Sequence, residues 1–404
     1  MLISKKNKIL IVGYGVSGQS AYKYLVSNGY RVYVYDNEKT NAPNYCDDIS
    51  VIDVVVKSPS VKTMPHNAHA IICNARSIGI PVISTLDLFY NAISGPNNSR
   101  IIAITGTNGK STISSMVYHI MRGSGYDVSL GGNIGIPYFD MPLSEYYVLE
   151  LSSYELESSC LVRCDVGAIT NIAEDHIDFH GTFDNYIDAK HKLLRISSKG
   201  IISASDNITC DKYTGKENII SVKFNSNADF AIGISREIGI EENVAIQCLS
   251  DFEGLPHRAQ TIASRCGITF VNDSKATNPH ASSNALKELD GEIYWLVGGR
   301  SKNVDPRPFV SQYMRGVRRI YCFGESRDEM YDYFCDNFVC HKYLDMESGV
   351  YAAYSDALKS NCDHKIILLS PMCASFDEFN SFEERGVSFI NIVSGLLKVD
   401  GESI

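Results

Sequence analysis

Three consecutive α/β units with mostly parallel sheets are predicted by three observations. Short β-branched runs alternate with helical stretches along the whole chain, and the first two units each open on a strand that ends in a glycine-rich turn. The 404 residues also exceed the ~100–200 of one ordinary domain. Hydrophobic residues make up 44% and charged residues 21%, a composition that buries a core in each unit and argues against disorder.

The first unit opens with "KILIVGYGV", a β-branched run ending in glycines, followed by a helical stretch over 17–28 and a second strand, "RVYVYD", with Asp36 at its end. That is a βαβ unit. "VIDVVV", "AIICNA" and "PVIST" continue it as strand-like runs to about Ala92, and "SGPNNS" reads as a linker.

The second unit begins with "RIIAITGTNGKST" and carries strands "YYVLELS" and "VGAITNI" and a long helix over about 182–197. Residues 200–253 look less regular, with "DFAIGISREIGI" helical. "ITFVNDSK", "EIYWLVGG", "RRIYCFGE" and "HKIILLSP" are the strands of the third unit, and no sequence repeat relates the three. The boundaries are placed at 1–96, 97–253 and 254–404.

Charge and cysteine usage narrow the function classes. A formal net charge of −10 without a long basic run argues against broad nucleic-acid binding. Anionic ligands are then held by glycine loops, helix N-termini and a few placed cations. Nowhere do 18 apolar residues run together, and the apolar run at the start is too short for a signal-peptide core. Twelve cysteines without CxxC pairs suggest neither a disulfide framework nor a zinc knuckle, which reads as a reducing cytoplasm.

"GTNGKST" suits phosphate: its glycines let backbone N–H groups converge, the next helix offers its N-terminus, Lys110 adds a point charge and Ser111 can hold Mg2+. It departs from GxxxxGK[ST], because Ile104 stands where the first Gly belongs. "GYGVSG" (Gly13, Gly15, Gly18) with Asp36 fits a dinucleotide fingerprint, with another nucleotide-bearing ligand or plain helix–strand packing as competing readings.

Glu150 at a strand end, and Asn171, Glu174, Asp175, His176 and Asp178 after another, can converge on the phosphate loop, since ligands gather at the carboxyl ends of parallel strands. Their oxygen and imidazole groups suit Mg2+; a solvated acidic loop with a helix-capping Asp178 is the bland alternative. "NDSKATNPHA" and "GGRSKNVD" place further polar groups after strands. In "SPMCASFDEFNSFEERG", Phe376, Phe379 and Phe382 fall at i, i+3 and i+6, the spacing of a buried helix face.

Taken in order, "GYGVSG", "TGTNGKST", "GGNIG", "ELSSYELE", "TNIAEDHID", "YIDAK", "GLPHR", "NDSKATN", "GGRSK" and "LSPMCASFDEFNSFEERG" resemble the Mur ligase family over nearly the whole chain. The last motif and "GGNIG" are most similar to the member that adds D-glutamate. The resemblance implies an α/β protein of three domains: a Rossmann-like N-terminal domain for the UDP end, a central P-loop-type ATPase domain, and a Rossmann-like C-terminal domain for the amino acid.

It implies ATP-dependent addition of D-glutamate to UDP-N-acetylmuramoyl-L-alanine through an acyl phosphate, with ATP and two Mg2+ ions, by a cytoplasmic monomer in peptidoglycan precursor synthesis. On this resemblance Lys110, Glu150, His176 and Lys190 carry the catalysis, with Ser111, Glu150, His176 and a carbamylated Lys190 as metal ligands. Gly106, Thr107, Asn108, Gly109, Lys110, Ser111, Thr112, Asn227, Arg258, Asp273 and Lys275 take ATP. Val16, Ser17, Asp36, Asn133 and Ser152 take the UDP-sugar, and Thr277, Lys302, Ser375 and Phe382 the D-glutamate. Closure of the C-terminal domain over ATP is implied as well.

Four departures from the family pattern stand out. "SPS" replaces "SPG" at Ser60; Glu155 replaces a Gln and adds an acid near the metals; Phe224 replaces the first Asn of the adenine motif; and the stretch between Ile201 and Asn227 is short, which points to weaker ATP affinity. The alternatives are a Mur ligase of other amino-acid specificity, a UDP-sugar-binding protein that has lost catalysis, and an NAD-dependent oxidoreductase.

Overall fold

The computed structural model describes residues 3–64, 66–94, 99–223 and 225–399. Phe224 and most of the expected linker lie outside the described residues. Sixteen strands form three sheets among the described residues. The chain divides into two compact units, Met1–Phe252 and Glu253–Ile404.

The first sheet has the order β2-β1-β3-β4, all parallel, from β1 (Lys8–Val12), β2 (Arg31–Tyr35), β3 (Val54–Lys57) and β4 (Val82–Ser84). Both of its faces are covered, so its strands are continuous apolar runs. Ile9, Ile11, Val54 and Val56 enter one core layer, Leu10, Val12 and Val55 the other. "AIICNA", expected as a strand, is instead part of the helix Ala70–Ser77. Ile71, Ile72 and Ala75 form its buried face, so the helical period overrode a short β-branched run.

The second sheet is also fully parallel, ordered β10-β9-β8-β5-β7-β6. Its strands are β5 (Arg100–Thr105), β6 (Val128–Gly132), β7 (Tyr146–Glu150), β8 (Cys164–Ile169), β9 (Ser197–Ser203) and β10 (Ile219–Val222). From the central β5 the chain goes to one side for β6 and β7 and to the other for β8 to β10, and the carboxyl end of such a switch strand is where α/β folds bind ligands. Residues 200–253 are more regular than the sequence suggested. They hold the end of β9, the strand β10 and the helices Asn207–Tyr213, Asn227–Glu237 and Glu242–Leu249.

In the second unit the order is β11-β12-β16-β13-β14-β15, with β11 (Gln260–Arg265), β12 (Ile268–Asn272), β13 (Glu292–Gly298), β14 (Val317–Phe323), β15 (Val339–Lys342) and β16 (Lys365–Met372). Only β11 is antiparallel, to β12. Tyr294 and Leu296 face one core layer and Ile293, Trp295 and Val297 the other. The expected phenylalanine helix face is not there: the last helix starts only at Phe382, Phe376 lies in a turn and is 59% exposed. Among the three, Phe379 is the one packed against the core. All twelve cysteines are free. Among the described residues no helix is long and apolar enough to cross a membrane.

Candidate active site

The phosphate loop follows β5. Gly106 has φ +149°, and a Cβ there would lie 1.9 Å from Thr170 Oγ1, so only glycine lets the loop lie this close to the end of β8. Gly109, at φ +81°, is the N-cap of the helix Lys110–Gly123. The end of β8 braces the loop from outside. Thr170 Oγ1 and Asn171 Nδ2 donate to Asn108 O (2.6 and 3.0 Å), Asn171 Oδ1 accepts from Asn108 N (3.1 Å), and Asn171 O accepts from Thr107 N (2.8 Å).

Two lysines meet on this loop. Lys110 Nζ donates to Gly106 O and Thr107 O, both at 2.9 Å. Lys190 Nζ, from the helix Phe183–Ile196, reaches the same Gly106 O at 2.6 Å and lies 4.7 Å from the centroid of the Tyr186 ring. Lys190 is buried. Burial pushes its ammonium well below the ordinary lysine value, Lys110 pushes it further, and Asp175 and Glu150 pull only partly back. That shift favours the neutral form of the amine, the form that combines with CO2.

Glu150 ends β7 in a fully buried setting. Its Oε1 accepts from Asn133 Nδ2 (2.9 Å) and its carbonyl from Asn133 N (2.9 Å). Among the described residues Oε2 has no hydrogen-bond partner. Gly132 permits this pairing, because a Cβ there would stand 2.4 Å from Glu150 O. A buried carboxylate oxygen left unpaired is costly unless something binds it. A hard cation fits that donor, and Ser111, buried at the start of the helix Lys110–Gly123, offers a second oxygen. No group of three or more His, Cys, Asp or Glu gathers as a metal cage among the described residues, so phosphate and water oxygens would complete such a site.

His176 has a left-handed backbone (φ +55°), and its Nδ1 lies 2.9 Å from Tyr154 OH and its Nε2 3.6 Å from Asp175 Oδ2. Asp178 sits inside the short helix Ile177–His180; His176 is its N-cap. Glu155, expected to add an acid near the metals, turns away. It closes a capping box with Ser152, its Oε2 accepting from Ser152 N and Oγ (both 2.7 Å), and Oε1 accepts from Tyr138 OH. Burial raises its carboxyl above the usual range. Asn227 Oδ1 would stand 3.0 Å from a Cβ on Gly109, so Asn227 flanks the phosphate loop. Thr112 belongs to the first turn of the helix Lys110–Gly123.

At the first sheet, Asp36 is tied back onto its own glycine loop: it accepts from Tyr14 N (2.6 Å), Glu38 N (3.0 Å) and Lys39 N (3.0 Å). Burial raises its carboxyl, but these bonds and Lys39 outweigh that and hold it below the ordinary value. Val16 is exposed, Ser17 half-buried, at the start of the helix Val16–Ser27. The structure thus gathers Lys110, Lys190, Glu150, Asn133, Asn227 and His176 around β5, β7 and β8, and sets Val16, Ser17 and Asp36 around β1 and β2.

In the second unit Asp273 is buried after β12, accepting from Ser370 Oγ (2.7 Å) and Ala259 N (3.1 Å), and burial pushes it up to about 7. Arg258 sits between His257 (φ +62°) and Ala259 (φ +43°). Lys275 Nζ lies 3.6 Å from the Phe382 ring centroid, and Phe382 O accepts from Ser274 Oγ at 2.9 Å. Arg300 and Ala374 pair antiparallel, which sets the exposed Lys302 and the buried Ser375 in adjacent loops at the ends of β13 and β16. Thr277 follows β12 and precedes the helix Pro279–Glu288.

Sequence reasoning passed over Tyr154, Tyr186 and Thr170. Tyr186 lies one helical turn before Lys190, an i, i+4 spacing that would have paired them. Arg385, a charged residue of "SPMCASFDEFNSFEERG", was given no role; it is wholly buried and donates to Ser274 Oγ and O and to Cys373 O.

Comparison with known proteins bears on the family of the chain. Residues 104–246 match the family model of the Mur ligase middle domain, and residues 257–373 that of the Mur ligase, glutamate ligase domain. The UDP-N-acetylmuramoylalanine--D-glutamate ligase of Novosphingobium aromaticivorans is 33% identical over 98% of this chain and 97% of its own. That of Rickettsia bellii is 31% identical over 98% and 99%. Among solved structures, the UDP-N-acetylmuramate-alanine ligase of Thermotoga maritima shares the fold at a TM-score of 0.61 and 17% identity, covering 96% of this chain and 100% of that one. MurF ligase of the same organism, solved in complex with ADP, gives 0.60 at 15% identity, covering 98% of each. On relatives of this identity and coverage, and on an α/β fold of three sheets shared with these ligases, the chain belongs to the Mur ligase family.

Proposed function

We propose that this chain joins D-glutamate to UDP-N-acetylmuramoyl-L-alanine at the expense of ATP, as a cytoplasmic step of peptidoglycan precursor synthesis. The observation that carries the reading is the pairing of two lysines and an unpaired buried carboxylate oxygen around one glycine loop, in a chain related end to end to D-glutamate ligases. In this reading the first sheet takes the UDP end, the second ATP and the third the amino acid, within about 1–96, 97–253 and 254–404.

A carboxylate is a poor electrophile at neutral pH. An oxygen of the acceptor's carboxylate attacks the γ-phosphorus of ATP, the bond to the β–γ bridging oxygen breaks, and ADP leaves. The amine of D-glutamate then attacks the acyl-phosphate carbon; an amide forms, phosphate departs and the nitrogen loses a proton. Phosphoryl transfer between anions needs neutralised charge and alignment. The loop Gly106, Thr107, Asn108 and Gly109, held in place by the bonds from Thr107 N and Asn108 N to Asn171, presents the helix N-terminus to the phosphates, and Lys110 exchanges its two carbonyl partners for phosphate oxygens. Asn227 flanks the same loop.

Two Mg2+ ions suit the donor set: Ser111 and Glu150 would hold one, His176 and a carbamylated Lys190 the other, and bound there they neutralise the transferring phosphoryl. Asn133 orients Glu150, and Tyr154 orients His176. Val16, Ser17, Asp36 and Ser152 bind the UDP-sugar, Arg258, Asp273 and Lys275 complete the ATP contacts, and Thr277, Lys302, Ser375 and Phe382 hold D-glutamate.

Phosphate release from ATP with Mg2+ and UDP-N-acetylmuramoyl-L-alanine tests this, comparing D-glutamate, L-glutamate, L-lysine and meso-diaminopimelate with Lys110→Ala as the blank. Release with D-glutamate alone, lost in the variant, is the expected result. Release with another amino acid would overturn the specificity, and UDP-sugar binding without release would favour a binding protein.

A further inference from the structure

Lys57, the last residue of β3, is 1% exposed. Its Nζ donates to Pro59 O (3.3 Å) and Val61 O (3.1 Å), and among the described residues it has no carboxylate partner. A buried ammonium bonded only to neutral carbonyls has no countercharge in direct contact, its carboxylates Glu157, Glu155 and Asp87 acting from further off. Its place in the fold shows where an anion would supply it.

The two carbonyls belong to the turn that starts at Ser58, closed by Val61 N donating to Ser58 O (3.1 Å). That turn and the first glycine loop form one structure. Ser58 Oγ donates to Gly13 O at 2.6 Å, and a Cβ on Gly13 would meet Ser58 Cβ and Val61 Cγ2, each at 3.0 Å. In a trans peptide the N–H points opposite to the C=O. With the carbonyls of Pro59 and Val61 turned onto Lys57, the N–H groups of Ser60 and Lys62 face away from it. Among the described residues neither finds an acceptor. Free N–H groups on a turn backed by a buried cation suit an anion.

We propose that Lys57 is the positioning residue for the diphosphate of the UDP-bearing acceptor: it orients the turn over 58–61 so that its N–H groups face the phosphates, and it supplies their countercharge from beneath. The inference rests on the UDP-sugar reading of the first sheet. Lys57 touches neither the diphosphate nor the reacting carboxylate, so it governs acceptor affinity and leaves the chemical step alone.

Its protonation supports the same role. Burial pulls the ammonium down to about 8; Glu157 and Glu155, from the helix Ser153–Ser158, pull it back up, Arg76 on the helix Ala70–Ser77 lowers it, and Asp87 on the helix Thr85–Ile93 raises it. Above that value the free protein gives up this proton, and a diphosphate arriving above it draws a proton in.

Calorimetric titration of the full chain with UDP-N-acetylmuramoyl-L-alanine, in two buffers of different ionisation enthalpy, reads that uptake. Wild type is expected to take up roughly half a proton or more at pH 8.5 and none from Lys57 at pH 6.5. Lys57→Met is expected to lose the uptake at pH 8.5 and to bind roughly tenfold more weakly at pH 6.5, with kcat at saturating acceptor and KM for ATP within about twofold of wild type. Lys57→Gln keeps a neutral donor and serves if the methionine variant does not fold; it too should lose the uptake. Wild-type affinity in both variants, or equal uptake with and without the lysine, would overturn the proposal. Failure of wild type to bind the UDP-sugar at any pH would instead remove the acceptor reading and this inference with it.

Discussion

Lys190 and Asp273 are the residues whose chemistry depends most on what surrounds them. Burial pushes the Lys190 ammonium, held against Gly106 O, well below the ordinary lysine value, with Lys110 adding to the effect. If its carbamate is the working form, phosphate release should fall severalfold in CO2-free buffer, recover on adding bicarbonate, and be absent in Lys190→Ala. Asp273 is raised to about 7 from 3.8, chiefly by burial. Between those values the folded protein holds a proton that the unfolded chain has lost, so stability falls as pH rises through that window and levels off above about 7. The denaturation midpoint of the transition that includes Asp273 should therefore be lower at pH 7.5 than at pH 5, and Asp273→Asn should flatten the difference.

Elements are held to one another at a few buried polar points that hydrophobic patterning does not reveal. Asp87 is fully buried and closes a capping box with Ser84 at the start of the helix Thr85–Ile93. Its Oδ1 also accepts from Cys160 N (2.9 Å) and Leu161 N (2.8 Å), 73 and 74 residues away. Asp87→Ala removes the cap and leaves those part-buried N–H groups without acceptors, and chemical denaturation should show a loss of roughly 1–3 kcal/mol. From the sequence, "STLD" is legible as a helix start because Ser and Asp at that spacing are a capping signal. The bonds to 160 and 161 are not, since nothing local marks a partner so far along the chain. "AIICNA" shows the opposite limit: a short apolar run suits strand or helix, and only burial of Ile71, Ile72 and Ala75 on one face decides for helix.

At the scale of the whole chain, the two compact units, Met1–Phe252 and Glu253–Ile404, each have their own sheets and cores. Calorimetry should resolve two unfolding transitions, and saturating UDP-N-acetylmuramoyl-L-alanine should raise the one that belongs to the first unit by several degrees. A single transition shifted as one body would contradict this.

By itself the sequence determined the α/β class and the strands that lead into the two glycine loops, and it singled out Lys110, Glu150, His176 and Lys190 as candidates. It could do so because buried parallel strands leave continuous apolar runs and phosphate loops need glycines at set places. Tertiary structure alone decided that Glu155 turns into a capping box, that Asn133 braces Glu150, that Phe376 lies in an exposed turn and that Lys57, among the described residues, is buried with hydrogen bonds to carbonyls and none to a carboxylate. Those outcomes depend on which distant groups share a buried space, and hydrogen bonding and desolvation act across that space rather than along the chain.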